Sequence, residues 1–154
     1  MPDPRSQTPF PRPHPMSEVY RFSYRVTYAD CTVGNHVYYA RYLDILEAAR
    51  GEFSRSLGAP LLQLQEADTF FPVIEVNLRY KGMARYDDLL SVEVWLTDAG
   101  KVRLNFAYRI LCGDKLLLEG STSHVCTGMN ERPKRLPEGI AEKLKPFVAA
   151  QAAT

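Results

Sequence analysis

Residues 28–57 read YADCTVGNHVYYARYLDILEAARGEFSRSL, and a change of period inside this stretch decides the fold. Asp30 to His36 are turn formers and helix caps, so the chain reverses there. From about Val37 to Leu57 apolar residues recur every three or four positions: Tyr39, Tyr42, Leu46, Ala49, Phe53 and Leu57 make one stripe. Arg41, Asp44, Arg50, Glu52 and Arg55 fall mostly outside the stripe and are left to water. The spacing predicts one long helix. Gly58-Ala59-Pro60 ends it, Gly58 as a cap and Pro60 as a residue that cannot continue it.

Outside this stretch the period is two. Upstream, Tyr20, Phe22, Tyr24, Val26 and Tyr28 alternate with Arg21, Ser23, Arg25 and Thr27, the pattern of a strand with one wet face. Downstream of a short helical turn over Leu61–Ala67, alternation returns in Val73–Lys81, Leu89–Thr97, Val102–Leu111 and Lys115–Cys126. Asp98-Ala99-Gly100-Lys101 and Cys112-Gly113-Asp114-Lys115 are Gly-containing connections of hairpin length, so the last three strands form an antiparallel meander. A segment interrupted by Pro133 and Pro137 leads to a weak helix over Ile140–Val148. The fold class is α+β, with one helix covering the apolar face of a five-stranded antiparallel sheet. The other face is left wet or meets another subunit.

At 154 residues, with 45% hydrophobic and 24% charged residues, the chain fits one globular domain. A net charge of +1 without a basic cluster speaks against nucleic acid and membrane surfaces as partners. Three cysteines, Cys31, Cys112 and Cys126, at spacings unlike a disulfide scaffold or zinc ribbon, fit reduced thiols in the cytoplasm. The Pro-rich residues 1–16 are expected to be a disordered tail, and 17–154 the single domain. GxSxG, GxxxxGK[ST], HExxH and GxGxxG are all missing, and His14, His36 and His124 are far apart in sequence, so no metal or organic cofactor is expected.

The junction Tyr28-Ala29-Asp30-Cys31-Thr32-Val33-Gly34-Asn35-His36-Val37-Tyr38-Tyr39-Ala40-Arg41-Tyr42 resembles the opening motif of hotdog-fold acyl-CoA thioesterases of the 4-hydroxybenzoyl-CoA thioesterase type. That motif typically reads Y-x-D-T-D-x-x-G-H/V-V-x-x-x-x-Y, and Asp30, His36, Val37 and Tyr42 fall on it without a gap. Phe70-Phe71-Pro72-Val73 with Glu75, Arg85-Tyr86-Asp87-Asp88 with Leu89 and Leu90, and Glu119-Gly120 with His124, Val125 and Cys126 match the same group. The resemblance implies a hotdog fold, hydrolysis of an acyl- or aryl-CoA thioester, and a homodimer or homotetramer with sites between subunits. It departs at the usual catalytic Asp, where this chain has Thr32, and at the usual Gly, which is Asn35.

A neutral hydroxyl does not take a proton from water as a carboxylate does, so three groups stand as replacements for the missing Asp. Asp30 is two residues away and is equally a turn or cap residue. His36 is a general base or an orienter of water, and equally a loop hydrogen-bonder. Glu47, on the helix, either faces a neighbouring subunit's loop or is simply solvated. Thr32 positions water or caps the helix. The backbone N–H groups from Asn35 through Val37 to Tyr38, at the expected helix start, are candidates for the oxyanion site. Tyr39 is a candidate lining residue of the acyl pocket, with Tyr38 beside it. Lys81 and Arg85, with Lys134 and Arg135, are candidate partners for coenzyme A phosphates. The competing reading is a non-catalytic acyl-CoA-binding or regulatory protein that kept the pocket and lost the aspartate.

Overall fold

The structure is a computed structural model and describes residues 10–149. Its main sheet is five-stranded and antiparallel, in the order β1-β5-β6-β7-β4. The strands are β1 (Tyr20–Arg25), β4 (Val73–Tyr80), β5 (Leu89–Ala99), β6 (Arg103–Cys112) and β7 (Lys115–Val125). Two-residue strands β2 (Cys31–Thr32) and β3 (His36–Val37) pair in a hairpin of their own. The helices are α1 (Arg41–Ser56), α2 (Leu61–Glu66) and α3 (Glu138–Leu144). The five-stranded sheet and its covering helix are those the hydrophobic periods predict.

The core lies between α1 and the sheet. Leu90, Val92, Val94 and Leu96 alternate along β5 and are fully buried, and Tyr42, Ile45, Leu46, Ala49 and Phe53 of α1 meet them. Burying each large side chain contributes about 1.5–3 kcal/mol relative to leaving it in water. The ring of Phe53 stacks on Tyr20 at 5.2 Å and meets Phe147 edge-on at 4.7 Å, which ties the helix to β1 and to the C-terminal segment. Gly58, at φ 74°, lets its N–H donate to Arg55 O and the N–H of Ala59 to Ser54 O, closing α1 as the Gly-Ala-Pro sequence predicts.

Two features differ from the pattern read in the sequence. Helix α1 begins at Arg41, not near Val37, because His36 and Val37 are paired with Thr32 and Cys31 and the N–H of Val37 donates to Ala84 O at 2.9 Å. Tyr39 therefore precedes the helix and is 63% exposed instead of joining the apolar stripe. Strand β4 alternates in sequence, yet none of its residues is buried, because it is the sheet's outer strand beyond β7.

Of the expected tail, residues 1–9 lie outside the described residues. Residues 10–16 are described: the ring of Phe10 sits 4.7 Å under the Arg79 guanidinium, and the N–H of Ser17 donates to His14 O. Among the described residues no helix is long and apolar enough to cross a membrane.

Candidate active site

The loop entering α1 is built around Asp30, which is 6% exposed. Its Oδ2 accepts from Tyr24 Oη (2.7 Å), Thr27 N–H (2.8 Å) and Thr27 Oγ1 (2.9 Å), and its Oδ1 faces Arg41 Nε at 3.8 Å. Burial pushes the carboxyl pKa up, but these hydrogen bonds and the Arg41 charge outweigh it and hold the group below the usual carboxylate range. The Asp30 carbonyl also accepts from Tyr38 N–H at 2.9 Å. Asp30 thus fastens both ends of the loop.

Beyond it the chain makes a tight hairpin. The N–H of Asn35 donates to Thr32 O at 3.2 Å, with Gly34 at φ 95° and Asn35 at φ 59°. This is the positive-φ pair that a Gly-Asn sequence accommodates. Thr32 and His36 are directly opposite one another in the hairpin. Side chains of such a pair share a face with Cβ atoms about 5 Å apart, so the exposed Thr32 hydroxyl stands beside the half-buried imidazole. His36 Nδ1 lies 3.4 Å from Val37 O, and a Cβ on Gly34 would come within 3.3 Å of the ring. The loop before β5 braces the hairpin: Arg85 Nη1 donates to Gly34 O at 3.4 Å, and Tyr42 Oη accepts from Ala84 N–H at 3.1 Å. Tyr80 Oη donates to Tyr39 O at 2.8 Å, joining the end of β4 to the helix entrance.

Because α1 starts late, the Asn35–Tyr38 N–H groups are not its first turn. Those of Asn35, Val37 and Tyr38 donate to Thr32 O, Ala84 O and Asp30 O, and Val37 is buried in the core. The N–H of Arg41 donates to Tyr38 O, whereas those of Tyr39 and Ala40 have no acceptor among the described residues. The rings of Tyr38 and Tyr39 meet edge to face at 4.8 Å, and both are exposed. Lys81 and Arg85 are exposed on the bracing loop, while Lys134 Nζ donates to Asp68 O.

Glu47 is elsewhere. Six residues past Arg41, about 9 Å along the axis, it lines a cavity of about 370 Å³ between α1, α2, the loop before β4 and the ends of β6 and β7. Phe53, Phe70, Phe71, Leu104 and Phe106 make apolar walls, and Arg50 and His124 are polar members of the lining. The bond directions can be worked out from His124. Its Nδ1 is 3.0 Å from Phe71 O, which can only accept, so Nδ1 carries the proton. Nε2 of the neutral ring then accepts from Thr122 Oγ1 (2.8 Å), Thr122 accepts from Tyr108 Oη (2.5 Å), and Tyr108 accepts from Arg50 Nη1 (3.1 Å). Burial, against the Phe71 hydrogen bond and with the Arg50 charge, depresses the His124 pKa to about 4.

Sequence reasoning left Arg50 to solvent, placed Tyr108 only within the alternating strand over Val102–Leu111, and passed over Thr122. The signal was present in β7, where Thr122 and His124 occupy alternate positions on the buried face, two polar side chains where the period calls for apolar ones. Phe106 faces Thr122 and Leu104 faces His124 across the ladder. No cluster of three His, Cys, Asp or Glu able to hold a metal occurs among the described residues, and Cys31, Cys112 and Cys126 are free thiols.

Comparison with known proteins places this geometry. Residues 26–144 match the family model described as the thioesterase-like superfamily. The Acyl-CoA thioester hydrolase YbgC of Escherichia coli O6:H1 is 30% identical over 129 residues, covering 82% of this chain and 96% of the relative. The hypothetical protein TT1821 from Thermus thermophilus superposes with a TM-score of 0.80 at 31% identity, over 86% of this chain and 100% of that one. A probable thioesterase from Bartonella henselae gives 0.75 at 28% identity, over 78% and 100%.

Proposed function

We propose that this chain, which belongs to the thioesterase-like superfamily, hydrolyses an acyl-CoA thioester to a free acid and coenzyme A by attack of water. The observation that carries the reading is the Thr32–His36 pairing beside the start of α1. Where the family motif has its second aspartate, Thr32 holds the attacking water and His36, its cross-strand neighbour, takes the proton. Positioned base catalysis of this kind contributes about 10²–10⁴-fold. The acyl oxygen, as it becomes an oxyanion, meets the N–H groups of Tyr39 and Ala40, which no other group occupies among the described residues. One such donor is worth about 10²–10³-fold. The C–S bond then breaks and the thiolate of coenzyme A departs. Asp30, with its lone pairs engaged and its pKa lowered, holds the loop instead of serving as the base. Lys81 and Arg85 flank the entrance for the phosphates.

The working unit is a homodimer joined along β4. Paired with β7 on one side, that strand has no partner on its outer edge among the described residues and carries exposed Val73, Ile74, Val76 and Tyr80, the arrangement that invites pairing with another copy. A twofold antiparallel pairing sets the start of one β4 against the end of the other. The hairpin entrance of one subunit, tied to its β4 by Tyr80, then faces the Glu47 cavity of its partner.

A panel of acyl- and aryl-CoA thioesters with detection of released thiol tests the activity. Turnover that Thr32→Asp raises at least tenfold fits a water site at this position. Tight binding of every thioester with no turnover, in the chain and in Thr32→Asp alike, refutes the hydrolase reading and leaves a binding protein. Light scattering on the chain and on Val76→Pro, which cannot extend the β4 ladder, tests the dimer; unchanged mass on substitution refutes it.

A further inference from the structure

On α1 the three arginines are treated differently. Arg41 has Asp44 and Asp30 within 4 Å, and Arg55 has Glu52. Arg50, between them, has no carboxylate within that distance among the described residues, although Glu47 lines the same cavity one turn earlier. Its guanidinium offers five N–H donors in a fixed fork, and one recorded bond, to Tyr108 Oη, uses only part of it. Of the other polar lining groups, both His124 nitrogens are spent on Thr122 and Phe71 O, Ser54 donates to Ala59 O and Thr69 to Ala67 O, which leaves Glu47 and Gln65 as the polar side chains that share the lining with Arg50. What the cavity presents is therefore a largely apolar volume of about 370 Å³, at the small end of ligand pockets, in which Arg50 is the one cation among the described residues, its fork open, with Glu47 and Gln65 as further polar members of the lining.

We propose that this cavity receives an acyl group ending in a carboxylate, which the open fork of Arg50 binds; this rests on the thioesterase reading above. A plain alkyl tail would cover the guanidinium with methylenes and strip its water without replacing it, whereas a terminal carboxylate matches the planar fork with two parallel hydrogen bonds. The apolar walls hold the methylenes between the two ends. Tyr108 is a positioning residue: its hydroxyl accepts from Nη1 and, backed by Thr122 and His124, fixes the plane of the fork.

The test compares kcat/KM for the coenzyme A monothioesters of the eight-carbon dicarboxylic acid and of the eight-carbon monocarboxylic acid. The native chain is expected to favour the dicarboxylic thioester at least tenfold, Arg50→Gln to bring the ratio near one, and Arg50→Lys, which keeps the charge without the fork, to fall between. Tyr108→Phe is expected to lower the ratio as well, which a merely structural role would not do. A native ratio of one or less, or the native ratio kept in Arg50→Gln, overturns the proposal. Should neither thioester be turned over, the hydrolase reading fails separately, and calorimetric titration of the same two thioesters decides the cavity. Tighter binding of the dicarboxylic one that Arg50→Gln and Arg50→Lys both weaken supports it, and equal binding overturns it.

Discussion

Two histidines near α1 occupy opposite physical situations. His36 sits on a two-residue strand, half-buried, with one long contact to a carbonyl and an exposed hydroxyl opposite it. His124 is 2% exposed, bonded at both nitrogens and held neutral well below the ordinary imidazole range. The first has one ring nitrogen with no hydrogen-bond partner among the described residues, and the second is locked into a row of donors and acceptors. The difference lies in what surrounds each ring: a connection only fifteen residues from strand end to helix holds the first, and four distant segments build the row around the second.

The largest effect expected from this contrast is kinetic. Replacing His36 by Ala should lower kcat/KM by about 10²-fold or more while leaving urea unfolding close to native, and a loss under threefold would break the assignment of the base. Asp30→Asn sharpens the same contrast within the loop. As a fastener it should cost about 2 kcal/mol of stability in urea titration and less than tenfold in rate, whereas a rate loss beyond a hundredfold with intact stability would make Asp30 the base.

The second histidine should act on stability through pH. With its pKa depressed to about 4 in the folded chain against about 6.5 unfolded, the unfolded chain binds the proton more readily. Its contribution is whole above pH 6.5, declines as pH falls toward 4, and is gone below that; the loss between pH 7 and pH 5 is about 2 kcal/mol. Urea titrations at pH 7, 6 and 5 measure it, and the slope should flatten in His124→Leu. The smallest effect belongs to Gly34. Ala there must adopt φ near 95° and crowd the His36 ring, costing about 1 kcal/mol and shifting KM or kcat while Gly113→Ala, at a hairpin with open space, leaves kinetics unchanged.

The parts legible in the sequence are those whose signal is local. The period of two in β5 and the period of 3.6 in α1 each reported a buried face within a dozen residues. The hairpin from Thr32 to His36 was visible as Gly34-Asn35, but its consequence for the start of the helix was not. The apolar spacing through Val37 and Tyr39 fits a helix equally well, and the hydrogen bond from Val37 N–H to Ala84 O, in a loop forty-odd residues later, is a long-range tie that keeps Val37 out of the helix. The Arg50 row was hidden for the same reason. No single segment contains it, and a surface arginine, a core tyrosine and a strand threonine each look ordinary until β6 and β7 are set in register.

That row also reads in only one direction. A guanidinium can give protons but never receive them, and a peptide carbonyl can receive but never give, so the two ends forbid reversal and every hydroxyl between them has a settled orientation. Exchanging Thr122 for serine preserves the order, while valine of the same shape strands a phenol proton on one side and a ring lone pair on the other. The members can therefore drift during evolution only as a set, and a descendant that lost one of them would be expected to have discarded the rest.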